Sequence, residues 1–290
     1  MGKKEPKLKV LWLVPTCMNM QPVVCTLPGE NYFYMEARED KADYLLIQKV
    51  DEVRPELIIY ISVAAGPYFV KSETVRAMSA YAPVINFCCD AACPGWEPGL
   101  RYYYDNPCFE FTVNIDGNDN WLKGPRDLTL WCPLDPSFYK PKEKTISLGW
   151  AGGLGSPDRN AMMTDLKDII TIMPRNEKWG SYNDYADFLS SCKITLNMAK
   201  SGSGLALQTK NRVREAGYAG CLLLEERGSP TERWFDIGED YLDYGSSFEV
   251  RAIVASLDES DIVKMAKRFQ EKVLRLYNPH LFWEKVLANL

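Results

Sequence analysis

A single histidine, His280, occurs in 290 residues. A hydrolase built on a Ser-His-Asp or Cys-His arrangement would have to use it, yet it sits in the break between two terminal helical stretches, where capping or packing is the simpler role. No apolar run reaches the roughly 18 residues that a membrane-spanning helix needs. The N-terminus, "MGKKEPKLKV", passes from charge straight into a strand pattern without an apolar leader, so a cytoplasmic protein is expected; Pro at position 6 departs from the myristoylation pattern. Positive charge is not in surplus: 34 Lys and Arg stand against 39 Asp and Glu, a net charge of −5. That balance excludes binding nucleic acid through a broad basic face and leaves only a local patch open. Low-complexity tracts are absent, as are repeats at the roughly 20- to 50-residue periods of solenoids.

The nine cysteines do not form a metal-binding pattern. "CCDAAC" (Cys88, Cys89, Cys93) has no second pair at zinc-finger spacing, and one histidine cannot complete it. Cys132, Cys192 and Cys221 lie inside apolar runs, so buried structural thiols are expected. An odd count without a leader also argues against a disulfide framework.

Short apolar runs alternate with helix-length stretches through the first half. Leu8–Val14, Tyr44–Ile47, Leu57–Ser62, Val84–Cys88, Phe109–Ile115 and Leu128–Trp131 read as strands, and Ser72–Ala82 as a helix with Val75, Met78 and Ala82 on one face. Such alternation predicts an α/β fold with a mainly parallel sheet. The Pro- and Lys-rich segment Cys132–Thr145 reads as an interdomain linker. A second series follows: a strand at Ile146–Trp150, a glycine loop, a helix through Ile170, then strands at Ile194–Asn197, Cys221–Leu224 and Tyr241–Tyr244. From Asp258 the pattern is helical, "YNP" breaks it, and Leu281–Leu290 forms a last helix.

Two loops carry candidate chemistry. "GWAGGLGSPDRN" (Gly149–Asn160) follows a strand and precedes a helix, so the amides around Gly152, Gly153 and Gly155 can meet a phosphate with Arg159 as charged partner. It lacks the Gly-Lys-Ser/Thr of a P-loop, and the third glycine of the dinucleotide fingerprint would fall at Asp158; a tight strand-to-helix turn explains it equally well. "KSGSGLALQTKN" (Lys200–Asn211) is a second flexible loop, directly before "NRVREAGYAGCLLLEE" (Asn211–Glu226). A helix beginning near Thr209 or Asn211 places Glu215 in its first turns, where a carboxylate can accept both hydrogen bonds of a vicinal diol. The alternative is a solvated surface cluster of Arg212, Arg214 and Glu215.

The second half resembles the GT-B glycosyltransferases, in particular the family-1-like enzymes of the spore maturation protein CgeB type. The resemblance rests on "SLGWAGGLGSPDRN", "YNDYADFLSSCKITLNM", "NRVREAGYAGCLLLEE", "SPTERWFDIGEDYLDY" and "YNPHLFWEKVL", in that order. It implies two Rossmann-like domains: an acceptor domain over 1–140, a nucleotide-sugar domain over 141–275, and a terminal helix over 276–290 crossing back to the first. A nucleoside diphosphate sugar would be the co-substrate, with no cofactor and no metal. By motif, Glu215 resembles the family's ribose-binding glutamate, Arg159 and the Gly152–Gly155 loop the diphosphate contacts, and Gly202, Ser203, Gly204 and Leu205 a set of backbone donors. The partner glutamate expected eight residues before Glu215 is replaced by Leu207.

Catalysis would come from positive groups, Arg159 with Lys210 or Arg212, and from loop amides that stabilise charge on the leaving diphosphate. Asp90 ends the apolar strand "VINFCCD", where open α/β sheets place ligand-binding side chains; it is read as a general base or as a turn cap. Asp116 has the same placement, and "DGND" (Asp116–Asp119) is the one stretch resembling a divalent-ion motif. Glu232, Arg233 and Trp234 are read as pocket-lining or as an exposed helix start, and Tyr102–Tyr104 with Trp96 as core or as a platform on which sugars stack. The acceptor, be it glycan, small molecule, protein or modified nucleic acid, is left open, as is the oligomeric state. The competing reading is a two-domain nucleotide- or ligand-binding protein without chemistry.

Overall fold

The structure is a computed structural model, and it describes residues 8–14, 23, 26–27, 29–33, 42–62, 69–89, 97–116, 122, 124–173, 181–200 and 206–290. Two compact units divide the chain: Met1–Pro133 with Pro279–Leu290, and Leu134–Asn278.

The first unit is built on β1 (Lys9–Leu13), β2 (Glu30–Phe33), β3 (Leu57–Ser62), β4 (Val84–Cys88), β5 (Thr112–Asn114) and β6 (Leu128–Thr129). They form one parallel sheet in the order β2-β1-β3-β4-β5-β6. Its helices are α1 (Ala42–Val53), α2 (Ser72–Ser79), α3 (Glu97–Asp105) and the terminal α9 (Pro279–Leu287). Strands β1, β3 and β4 are continuous apolar runs because helices cover both faces of a parallel sheet. Leu11, Leu13, Ile58, Tyr60 and Val84 join Leu46, Val50, Val75 and Met78 from α1 and α2 in one core. Trp283 of α9 stacks on Phe87 at 5.8 Å and donates its indole N–H to the Thr26 hydroxyl at 2.8 Å.

The second unit carries β7 (Ile146–Trp150), β8 (Thr171–Ile172), β9 (Cys192–Asn197), β10 (Leu222–Glu226) and β11 (Leu242–Tyr244), with helices α4 (Pro157–Asp165), α5 (Tyr182–Ser190), α6 (Asn211–Ala219), α7 (Ser247–Ser256) and α8 (Glu259–Leu276). The sheet is again parallel, in the order β11-β10-β9-β7-β8. In chain order this is 2-1-3-4-5, the first unit's order without its sixth strand, so the order reverses between β7 and β9 here as it does between β1 and β3 there. Gly220, left-handed at φ 64°, ends α6, and Gly217 on the same helix packs against α8; an added Cβ there would lie 2.5 Å from Val273 Cγ2.

Several expectations are corrected. Tyr44–Ile47 is not a strand but part of α1; Leu46, Val50 and Val53 are its buried face, and four apolar letters could not reveal that three-to-four-residue spacing. The helix expected through Ile170 ends at Asp165, and the one expected to Ala82 ends at Ser79. Strands β2 and β8 carry no long apolar run and were not anticipated. His280 is not packed in the core: its side chain is 81% exposed and lies 4.0 Å from Glu284, one turn on. Cys132, Cys192 and Cys221 are buried free thiols, as expected, and so is Cys88; Cys93 lies outside the described residues. Among the described residues no helix is long and apolar enough to cross a membrane, and no group of three or more His, Cys, Asp or Glu could hold a metal ion.

Candidate active site

Open parallel sheets bind ligands beyond the carboxyl ends of the strands that flank the reversal. In the second unit these ends are Trp150 of β7 and Asn197 of β9. The glycine loop leaves the first and leads into α4. The loop leaving the second is pinned at its base by a bridge between Lys200 and Leu207 and leads into α6.

Arg212, in the first turn of α6, reaches under the glycine loop. Its guanidinium lies 4.9 Å from the centre of the Trp150 ring, and an added Cβ at Gly152 would come within 3.2 Å of its Nη2 and 3.1 Å of the indole. Trp150, 1% exposed, donates its N–H to the Gly152 carbonyl at 3.3 Å, which fixes the ring beneath the loop. A side chain at 152 would therefore press on Trp150 and Arg212, whereas Gly155 faces open space. Burial opposes the charge on Arg212, but Tyr185 and Glu215 outweigh it and hold its pKa above the usual value. Its Nε is buried without a hydrogen-bond partner among the described residues.

Glu215, one turn further along α6, is 5% exposed. It accepts hydrogen bonds from Tyr182 at 2.9 Å and from Tyr185 at 2.5 Å, both on α5, and Tyr139 bonds to Tyr182 at 2.5 Å. Burial first, and the Glu215 charge second, push the Tyr182 and Tyr185 hydroxyls up, so both stay protonated and able to donate. The surface-cluster reading of Arg212, Arg214 and Glu215 is thereby overturned: Arg214 is 1% exposed and Arg212 is half-buried. The pair in "YNDY", two tyrosines three residues apart on one helix face, was the available signal for this cluster and was missed.

Arg159 is engaged elsewhere, its Nη2 donating to the Lys200 carbonyl at 3.2 Å, while Lys200 pairs with Asp158 at 2.7 Å. Both contacts tie the start of α4 to the loop after β9. Ser156 caps α4 by accepting from the Arg159 amide at 3.3 Å, which occupies one of the amides expected for phosphate. Lys210 stands at the N-cap of α6 and is half-buried. Glu232 and Arg233 are exposed on a 3-10 turn. Asp116 is buried after β5. Asp90, Gly202, Ser203, Gly204, Leu205, Trp96 and Asp119 lie outside the described residues.

A second buried carboxyl sits at the same sheet edge. Glu225, at 0% exposure on β10, accepts from Asn197 Nδ2 at 2.7 Å and from the Thr231 hydroxyl at 3.4 Å. Burial pushes its pKa up to about 7, against the pull of hydrogen bonds from Ser229, Asn197 and Thr231.

Comparison with solved structures decides the architecture. HepE of Anabaena in complex with UDP and glucose superposes with a TM-score of 0.69 at 11% identity, over 98% of this chain and 100% of that one. The fold is GT-B. Other GT-B structures align along comparable lengths. AviGT4, a glycosyltransferase involved in avilamycin A biosynthesis, gives a TM-score of 0.61 at 13% identity over 98% and 97% of the two chains. A glycosyltransferase from Rickettsia africae gives 0.62 at 7% over 97% of each. By sequence, residues 159–288 match the glycosyl transferase-like family model. The matched segment of this GT-B chain begins at Arg159 and takes in Arg212 and Glu215, leaving Asp90 and the glycine loop outside. No curated protein matches by sequence.

Proposed function

We propose that the chain transfers a glycosyl group from a nucleoside diphosphate sugar, with the donor held at the β7/β9 edge of the second unit. In such a transfer the bond between the sugar C1 and the diphosphate oxygen breaks, an acceptor hydroxyl oxygen bonds to C1, and negative charge gathers on the departing diphosphate. The observation that carries this reading is Arg212: a guanidinium whose Nε lacks a hydrogen-bond partner among the described residues, braced on Trp150 beneath a loop in which a side chain at 152 would crowd both. A fixed cation there stabilises the leaving group without reorganising. The UDP held by the Anabaena protein supports uracil as the base. A carboxylate offers about four acceptor positions; Tyr182 and Tyr185 take two on Glu215, which leaves room for a ribose diol. Asp90, just beyond the end of β4 in sequence, remains the candidate base for the acceptor, and Asp90→Asn is expected to leave donor binding intact while reducing transfer.

Calorimetry with UDP, GDP and CDP tests the reading. Binding of UDP with slow release of UDP from UDP-glucose in EDTA is expected; no heat with any nucleotide would sink the proposal, and activity lost in EDTA and restored by Mn²⁺ would move the charge stabilisation from Arg212 to a metal. Glu215→Gln should weaken UDP binding by about 1.5–3 kcal/mol, the range for a hydrogen bond to a charged group. An equal loss with uracil, which lacks the ribose, would remove Glu215 from the diol.

One observation favours a second reading, a nucleotide-binding protein without transfer. At the position of the expected first glutamate stands Leu207, whose Cδ1 would lie 3.3 Å from a Cβ at Gly228. Tight UDP binding without donor turnover would select that reading.

A further inference from the structure

Arg212 and Glu215 stand three residues apart on α6, which sets their side chains next to each other on one face of the helix. Arg212 is half-buried and Glu215 is 5% exposed, so water screens little of the attraction between them. Opposite charges so placed ordinarily close into a two-pronged ion pair, guanidinium on carboxylate. These two do not: Glu215 acts on Arg212 by its charge, and among the described residues Arg212 makes no ion pair.

One hydroxyl is shared between them. Tyr185 donates to Glu215 Oε2 at 2.5 Å. With its one proton so committed, its oxygen is left to accept, and Arg212 is the donor beside it. Burial lowers the guanidinium's pKa, and Tyr185 raises it again both by charge and by hydrogen bonding. The Tyr182 hydroxyl serves the other carboxylate oxygen, Oε1, at 2.9 Å, and its ring lies 5.5 Å from that of Tyr185. Both tyrosines come from α5, so the shared hydroxyl is brought to α6 by a separate element.

We infer that Tyr185 is a positioning residue whose hydroxyl, bonded to Glu215 and Arg212 together, keeps the two charges from closing on each other, so that the cation is left for diphosphate oxygens and the carboxylate for sugar hydroxyls. The naming of those ligands rests on the donor reading; the separation of the charges does not. A direct pair would engage two guanidinium donors and both carboxylate oxygens, and every anionic ligand would have to break it on entry. The hydroxyl takes one donor from Arg212 and one acceptor position from Glu215, and the rest remain for a ligand.

Tyr185→Phe tests the inference, since it keeps the ring and removes the hydroxyl; Tyr182→Phe is the comparison, because it also removes a bond to Glu215 but not the one shared with Arg212. The first readout needs no ligand. The coupling between Arg212 and Glu215, measured by urea unfolding of Arg212→Gln, Glu215→Gln and the double variant, is expected to be larger in the Tyr185→Phe background than in wild type or Tyr182→Phe. Equal coupling in all three would overturn the inference. If a variant of that cycle fails to fold, the ligand-free crystal structure of Tyr185→Phe decides: a direct Arg212–Glu215 pair is expected, and the two still apart would overturn it. The second readout is kcat for UDP release at saturating UDP-glucose. Tyr185→Phe should lower it about tenfold, the equivalent of one hydrogen bond to a charged group, and should lower it much less in a Glu215→Gln background, where no ion pair can form. The same loss in both backgrounds would make Tyr185 a support of the fold alone. Wild type that binds no UDP would sink the donor reading and leave the coupling result to decide the role of Tyr185.

Discussion

Arg212→Ala is expected to lower donor turnover by about 10²–10³-fold, the usual cost of removing a preorganised group that stabilises developing charge. The guanidinium is held on one side by the Trp150 ring and on the other by Tyr185, so its position is set before any ligand arrives. That preorganisation separates it from Lys200, whose ammonium already pairs with Asp158. Arg212→Lys keeps the charge but loses the planar fork that stacks on indole and grips two phosphate oxygens, so it should recover only part of the rate. The readout is UDP release from UDP-glucose, with UDP affinity measured in parallel. A merely structural Arg212 would lower thermal stability in both variants and leave the turnover of the folded fraction unchanged, which would refute the assignment.

The second large effect concerns stability and comes from Glu225. In the unfolded chain its carboxyl titrates near 4.5, and in the folded protein near 7. Between those values the native state keeps a proton that the unfolded state has lost, so stability falls as pH rises from about 4.5 to 7 and stays low above. Glu225→Gln keeps the site neutral at every pH and nearly preserves its shape. The variant should match wild type near pH 4.5 and be more stable near pH 8 by up to about 3 kcal/mol, because each tenfold change in proton affinity between the two states is worth about 1.4 kcal/mol. Urea unfolding of both proteins across this range measures it; parallel pH profiles would mean that Glu225 is not the group responsible.

Much of the fold was legible because burial on both faces writes a strand as an unbroken apolar word. Leu57–Ser62, Val84–Cys88 and Ile146–Trp150 coincide with β3, β4 and β7. Where that word is short the reading fails: "YLLI" fits a strand or one helical turn equally, and only the contacts of Val50 and Val53 decide. The two residues of β8 carry no pattern at all. In the site, the placement of Glu215 within the early turns of a helix followed from the loop pattern of Lys200–Asn211 directly before it. Its enclosure by Tyr182 and Tyr185 did not, because those side chains come from an element about 30 residues earlier and meet it only through the sheet. Arg159 and Arg212 looked alike as letters; the carbonyl of Lys200 and the ring of Trp150 distinguish them.

The hydrogen bonds around Glu215 also have a sense of travel. Each tyrosine hydroxyl has one proton to give, and Tyr182 spends its own on Glu215, so Tyr139 must give to Tyr182. Glu215 is therefore a sink for protons offered from every side, while Arg212, three residues before it, only gives. A ligand lying along this turn of α6 has to be acceptor at one end and donor at the other. Phosphate oxygens, which only accept, suit Arg212 and not Glu215, so under the proposed function this turn of α6 would set which end of a nucleotide lies against which residue.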